Sequence, residues 1–431
     1  MLPSVLGFEA SRLRFSRLCE LATRVELANR RTARPCVRLL VTAMLASSLS
    51  LAAGEPAVSS RRASAPEPSP LGLPAMPRAE RGPLAQARVA LGRKLFMDRR
   101  LSLNGTMSCG MCHVPEQGFA VNELTNAVGM QGRSLRRNAP TVLNVGFAKF
   151  LFHDGRETAL EKQLWGPLLA PDEMANGTRE KVVALLGTLP DYRDFFERAF
   201  PQEGISVAGI ESALAAYERS LVSANSRFDR WHFGGERSAL SPEEKLGFQV
   251  FAGRGRCVSC HRIGEKDALF TDDAFHNTGV GWARAKAPAG SFRVPLAPGI
   301  ETQLTTDDIA SLVNPLVPDD GRFEVTGQEQ DRWAYRTPSL RNVALTAPFM
   351  HDGSLPTLEA VIEFYDRGGI DNPGKDPLLS PLSLTKDEKQ ALVAFLKTLT
   401  GDNVRQLAAQ ARAAADLPKD PDGPAPRARN D

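Results

Sequence analysis

The sequence predicts a mostly α chain made of two tandem copies of one small unit, with long loops between helices. Three observations predict it. Cys-x-x-Cys-His occurs twice, as Cys109-Gly110-Met111-Cys112-His113 and Cys257-Val258-Ser259-Cys260-His261. Each copy follows a stretch of the form Leu-Gly-x-x-apolar-Phe, namely Leu91-Gly92-Arg93-Lys94-Leu95-Phe96 and Leu246-Gly247-Phe248-Gln249-Val250-Phe251. That spacing sets the apolar ends on one helical face. Strand-like alternation is scarce, while 35 Gly and 31 Pro against only 7% aromatics favour loops.

Taken in order, residues 1–54 read as an exported leader. Arg30, Arg31, Arg34 and Arg38 precede an uncharged run at 39–53, followed by small residues and Gly54-Glu55-Pro56, the order of a secretory signal. The run is shorter than the roughly 20 residues needed to span a bilayer; an uncleaved anchor is the alternative. The residues ahead of Arg30 are long for such a leader, which points to a start codon downstream of Met1. Residues 55–83 are rich in Pro, Ser and Ala and read as a flexible linker. Two domains are expected at 84–236 and 237–404, then a disordered tail at 405–431. The second domain opens on Ser241-Pro242-Glu243-Glu244, a capping box with Pro in the first turn. Further helices are expected through Ile210, Leu214, Tyr217 and Leu221, and from Thr385 to Leu399, where Thr385 and Glu388 form another capping box.

Charge excludes one class of partner. The net +3 comes from the leader, which holds eight Arg, three Glu and no Lys, so the remainder carries −2. A near-neutral body gives no electrostatic ground for nucleic acid binding.

Cys-x-x-Cys-His is the attachment signature of c-type haem: two thiols join the porphyrin and the adjacent His ligates iron. The competing reading, zinc or redox Cys pairs, expects pairs some 15–20 residues apart, whereas these are far more distant. Export also favours haem, because extracytoplasmic thiols otherwise pair as disulfides. The fold class becomes specific here: two tandem cytochrome c-like haem domains. A His-ligated iron needs a sixth ligand for electron transfer or an open position for chemistry. Beyond His113 and His261 the pool is His153, His232, His276 and His351, nine Met and four Tyr.

Residues 84–403 resemble the bacterial di-haem cytochrome c peroxidase and MauG family. The stretches that carry the resemblance are 91–102 (LGRKLFMDRRLS), 137–143 (RNAPTVL), 152–156 (FHDGR) and 336–355 (RTPSLRNVALTAPFMHDGSL), together with both haem motifs in order. The resemblance implies a periplasmic enzyme with two haems c and an interface calcium, often dimeric. Hydrogen peroxide would react at the N-terminal haem. Electrons would pass through the C-terminal haem from a small donor protein, a cytochrome c or cupredoxin.

Carried over position by position, the resemblance puts Gln163, Pro167 and Glu173 above the first haem. A carboxylate there suits peroxide chemistry, because it can take a proton from one oxygen and return it to the other. Where peroxidases of the family hold a releasable His, this chain has Met130 in Val128-Gly129-Met130; an open first iron is favoured, a displaceable Met130 ligand being the alternative. Counting fourteen residues from His351 gives Tyr365 as the second haem's distal ligand, with Met350 as alternative and His351 as a structural or propionate partner. Tyrosinate is a hard anionic donor that suits ferric iron. Asn138 with the carbonyls of Thr346 and Pro348 would hold calcium, an all-oxygen set that suits the ion.

Two departures bear on function. His153 stands where the family usually has an inter-haem Trp, and Gly255 where MauG has a surface Trp. Both oppose MauG's own reaction, while Tyr365 favours it. Three readings result: a peroxidase, a MauG-like oxidant of a partner protein, and a non-enzymatic electron carrier, the last opposed by the absence of a distal His near the first haem.

Overall fold

Two helix crossings organise the chain. In the first half Pro83–Met97 packs on Val207–Ser220, and in the second Pro242–Ala252 packs on Lys386–Lys397. The glycines of the repeated helix signature explain both. A Cβ on Gly92 would stand 1.9 Å from the Ala213 carbonyl oxygen, and one on Gly247 the same distance from that of Ala391. Only a residue without a side chain lets the helices meet this closely. Both expected capping boxes form, Ser241 with Glu244 and Thr385 with Glu388, each satisfying backbone N–H groups that a helix start leaves unpaired.

The computed structural model describes residues 70–77, 81–286, 291–297, 300–305 and 319–413. The expected leader, most of the linker and residues 414–431 lie outside these. The described residues belong to one compact unit that holds two main hydrophobic cores. The first gathers Leu91, Phe96, Leu168, Tyr192, Phe196 and Leu214; the second gathers Phe228, Phe251, Phe270, Leu392 and Phe395. Each such side chain contributes about 1.5–3 kcal/mol on burial. Among the described residues no helix is long and apolar enough to cross a membrane.

The duplication reaches beyond the helices, at a constant spacing of 198 residues. Asn144 and Asn342 both take the left-handed conformation and open 3₁₀ turns, Val145–Phe147 and Val343–Leu345. Downstream, Leu151 bridges Glu157 as Phe349 bridges Leu355. Those bridges close two equivalent straps, Phe152-His153-Asp154-Gly155 and Met350-His351-Asp352-Gly353, whose first residues share positive φ, 63° and 72°.

Two expectations are corrected, and one element was not foreseen. The tail expected to be disordered from 405 begins as a helix, Val404–Arg412, with Val404 and Ala411 packed into the first core. Its Ala-rich sequence is a good helix former and its apolar stripe finds a partner. The linker expected to be flexible through 83 is docked before it ends: Leu73 is buried, and Gly72 bridges Asp267 and accepts from buried Arg341. That Arg341 also pairs bidentately with buried Asp229 at 2.9 Å. Finally, an antiparallel hairpin, Ser291–Ala297 with Ile300–Thr305, was not foreseen; Pro295 within its first strand breaks the pattern that signals one.

Candidate haem and peroxide sites

The first motif forms one helical turn, Cys109–Cys112, after which the His113 N–H donates to the Cys109 carbonyl at 2.9 Å. The turn brings both thiols and the imidazole to one side of the chain. The thiols are unpaired, and burial pushes Cys112 up to about 11 and Cys109 higher still. His113 is half-buried, its Nδ1 enclosed without a hydrogen-bond partner, and desolvation holds it toward its neutral form, with the Phe119 and Pro140 carbonyls facing the ring.

The second motif repeats the arrangement on a 3₁₀ turn, Cys257–Ser259. Here the His261 Nδ1–H donates to the Phe270 carbonyl at 2.9 Å, and the Pro338 carbonyl faces the ring. That bond fixes the tautomer and leaves Nε2 as the metal-ligating nitrogen. Pro140 and Pro338 are themselves 198 residues apart, so the duplicated scaffold brings an equivalent carbonyl to each imidazole. Unpaired thiols and imidazoles held neutral at both turns, with the ring fixed by a carbonyl at the second and an enclosed, unpartnered Nδ1 at the first, fit covalent haem.

Glu173 lies close enough to Cys109 and Cys112 for its charge to raise both thiols. Burial pushes its own carboxyl up to about 7, Asp172 adding to the shift and Arg156 opposing it. The carboxyl therefore exchanges its proton near neutral pH. Met130 is tied to the same turn, its N–H donating to the Asp172 and Glu173 carbonyls at 3.0 and 3.2 Å, and its side chain is buried in the first core. Gln163 ends the short helix Leu160–Gln163 and is half-buried; Pro167 sits in Trp165–Leu169, its carbonyl accepting from Met174 N–H at 3.0 Å.

Tyr365 falls in the helix Leu358–Asp366. Burial pushes its hydroxyl up, with the charges of Cys260 and Cys257 adding to the shift, so this phenol faces the second thiol pair. Met350 instead occupies the positive-φ corner of its strap. The spacing of 198 makes Tyr365 the counterpart of Pro167: one scaffold position carries a bulky ring incapable of ligation in the first half and a donor in the second.

Between the motifs the straps exchange bonds. The Arg336 N–H donates to the His153 carbonyl, and the Asn138 N–H to that of His351, both at 2.8 Å. Asn138 and Arg336 are again 198 apart, so the exchange is reciprocal. His153 Nε2–H donates to the Asn138 carbonyl at 3.0 Å, and burial holds its ring neutral, down to about 4. Arg137 clamps the junction, bonded to Asp154 at 2.6 Å and to both Asp319 oxygens at 2.6 and 2.7 Å. His351 stacks on Tyr335 with centroids 3.6 Å apart and is held neutral by burial. Of the residues expected to hold calcium, Asn138 directs its amide Nδ2–H to the Thr125 carbonyl at 2.8 Å, while Thr346 and Pro348 flank Ala347 just ahead of the second strap.

Sequence reading missed two groups here. His276 is held between Asp376 at 2.5 Å and Asp272 at 3.0 Å. Since both ring nitrogens face carboxylates, it is an imidazolium, held up to about 10, with Cys260 beside it the leading cause and the two carboxylates adding. Glu218 is buried, and that burial pushes its carboxyl up to about 8. The His276 clamp brings together residues a hundred positions apart and leaves no local signal. The straps did leave one, in Phe-His-Asp-Gly against Met-His-Asp-Gly and Pro-Thr-Val-Leu-Asn-Val against Pro-Ser-Leu-Arg-Asn-Val.

Duplicated helix crossings, each carrying a haem-attachment turn, define a di-haem c-type cytochrome. Known proteins make the class specific. The family model described as di-haem cytochrome c peroxidase matches residues 86–238. The methylamine utilization protein MauG of Methylorubrum extorquens is 37% identical over 76% of this chain and 82% of its own. Cytochrome c551 peroxidase of Nitrosomonas europaea is 34% identical over 72% and 79%. Among solved structures, a MauG-like protein associated with microbial copper homeostasis matches with TM-score 0.60 and 33% identity, covering 77% of this chain and 95% of that one. The diheme peroxidase BthA of Burkholderia thailandensis matches with TM-score 0.58 and 27% identity, over 79% and 90%. The chain belongs to the di-haem cytochrome c peroxidase family, and is an oxidoreductase of the peroxidase kind that carries two haems c.

Proposed function

We propose that this protein reduces hydrogen peroxide to water at the haem on Cys109 and Cys112. Electrons would arrive through the haem on Cys257 and Cys260 from a small redox protein. The observation that carries the reading is Glu173, a half-buried carboxyl beside the first thiol pair that is pushed up to about 7. When bound, the haem supplies the iron at which peroxide is cleaved. Glu173 takes a proton from the nearer peroxide oxygen and delivers it to the departing one. Gln163 orients the peroxide by hydrogen bonding, and Pro167 narrows the space so that larger ligands are excluded. Tyr365 is the distal ligand of the second haem, with Met350 as alternative. Asn138, with the Thr346 and Pro348 carbonyls, holds a calcium ion at the junction. The enzyme works in the periplasm, as the leader suggests.

Oxidised holoprotein mixed with H2O2 and followed by electron paramagnetic resonance tests this reading. With no His to block the first iron, reaction occurs without prior reduction. A protein silent to peroxide until half-reduced, and released by Met130→Ala, would assign Met130 as a gate instead. MauG-like oxidation of a partner protein is the second reading. Tyr365 at the second thiol pair favours it, while His153, much harder to oxidise than an indole, opposes it.

A further inference from the structure

The two attachment turns lie in contrasting charge. Residues 106–118 hold no Lys or Arg and one acid, Glu116, which is paired with Arg412 at 2.7 Å. Residues 254–266 hold Arg254, Arg256, Arg262 and Lys266, all exposed, against Glu265 alone. Beside the second turn stands an apolar lip, Pro377, Leu378 and Pro381, all exposed, with Leu378 at 50%. The lip is tied to that turn. Arg256 Nη2 donates to the Ser380 carbonyl at 2.9 Å and to its hydroxyl at 2.8 Å. Arg254 donates to the Ser383 carbonyl at 3.0 Å and to Glu388 at 2.9 Å. On the other side Asp376 accepts from His276, which lies against Cys260.

An exposed apolar face edged mainly by cations, Arg256, Arg262 and Lys266, with Glu265 the acid among them, and fixed against a haem-attachment turn, has the make-up of a short-lived electron-transfer contact. The apolar part permits close approach, and the charge steers encounter and sets orientation. Arg262 and Lys266 make no hydrogen bond or ion pair among the described residues, so their charge is available to a partner.

We propose that this lip and its cations are the docking surface for the electron donor, and that the donor is a small redox protein whose apolar face is edged by carboxylates. The inference rests on the reading that electrons arrive through the second haem. It adds the place of contact and the sign of the partner's charge.

The test is steady-state peroxide reduction by the holoprotein with three donors: a small acidic cytochrome c, a small basic one and an uncharged small reductant. The acidic donor should have the lower KM and lose rate as salt shortens the Debye length. Arg256→Gln keeps a donor for Ser380 but removes charge, and Arg262→Glu with Lys266→Glu reverses it. Together they should raise the acidic donor's KM by roughly tenfold or more, with small-reductant turnover and haem absorbance unchanged. Leu378→Ser should raise KM at every salt concentration. Preference for the basic donor, or an unchanged KM in the charge variants, overturns the proposal. Cys257→Ala with Cys260→Ala separates the two failures. If that variant still accepts electrons from protein donors at the parent rate, the second-haem reading itself is wrong. If it accepts none while the charge variants remain unaffected, only the docking surface is.

Discussion

At positions 198 residues apart in the duplicated scaffold, the first half places Pro167 and the second Tyr365; at the helix crossings, Tyr217 and Glu218 of one half answer Phe395 and Leu396 of the other. The backbone frame is common: each half has a glycine crossing, an attachment turn, a proline carbonyl facing the imidazole and a strap of the same shape. What differs is the chemistry set into it. Around the first turn lie a carboxyl that titrates near neutrality and a proline that cannot ligate. Around the second lie a buried phenol, an imidazolium clamped by two carboxylates and a rim of cations. On the proposed reading, a duplicated frame holds two irons in similar ways and assigns them different work through a handful of side chains. The halves are joined where the straps exchange reciprocal bonds around Arg137.

The largest expected effect comes from removing one half's chemistry outright. Cys109→Ala with Cys112→Ala should leave one haem by mass and by haem-stained denaturing gel, and should abolish peroxide turnover. The matching double variant at Cys257 and Cys260 should also leave one haem but retain the reaction of the remaining iron with peroxide. Equal loss of both functions in the two variants would break the division of labour.

Next in size is Glu173→Gln. It keeps both haems and removes a proton carrier, so the peroxide step should slow by roughly 10²–10⁴. The pH profile gives a second readout. Because the carboxyl is raised to about 7, it is protonated below that pH and cannot accept the peroxide proton. The rate should therefore fall on the acid side of about 7, and that limb should vanish in the variant. His153, already neutral above about 4, should contribute nothing to the same range.

A smaller effect separates the distal ligands of the second half. Tyr365→Phe should shift the second haem's reduction potential upward and change its low-spin signal, since the anionic phenolate favours ferric iron. Met350→Leu should leave both unchanged. The opposite pattern would give the ligand role to Met350.

Much of this was legible in the chain, for identifiable reasons. Attachment turns, capping boxes and the Leu-Gly-x-x-apolar-Phe helices are local: their physics acts within a few residues, so a short window contains it. Tyr365 and Glu173 were reachable only through resemblance, because an isolated Tyr in an apolar helix or Glu in a Pro-Asp-Glu turn has no signature of its own. The Arg137 clamp and the His276 clamp were not reachable. Arg137 meets Asp319 across 182 positions and His276 meets Asp376 across 100; the first pairing exists only once the halves have come together, the second only once the C-terminal half has folded. The helix at 404–412 was masked by its setting beside a Pro- and charge-rich end.

The smallest expected effects test where the halves are alike. A Cβ at Gly92 would meet the Ala213 carbonyl oxygen at 1.9 Å and Tyr217 Cβ at 2.8 Å; one at Gly247 would meet the Ala391 oxygen at 1.9 Å and Phe395 Cβ at 2.7 Å. In both cases the nearest obstacle is helix backbone, which cannot swing aside, so the helices must separate. Forcing a methyl into packed helices costs about 1–3 kcal/mol, which in a body of this size lowers Tm by several degrees. Gly92→Ala and Gly247→Ala should therefore destabilise to the same degree, measured by thermal unfolding of the holoprotein. Each should loosen the haem of its own half first, seen as a change in that haem's absorbance before global unfolding. A large inequality between the two would mean that the halves do not share one mechanical frame. The contrast between Tyr217 and Phe395 would then belong to the architecture as well as to the chemistry.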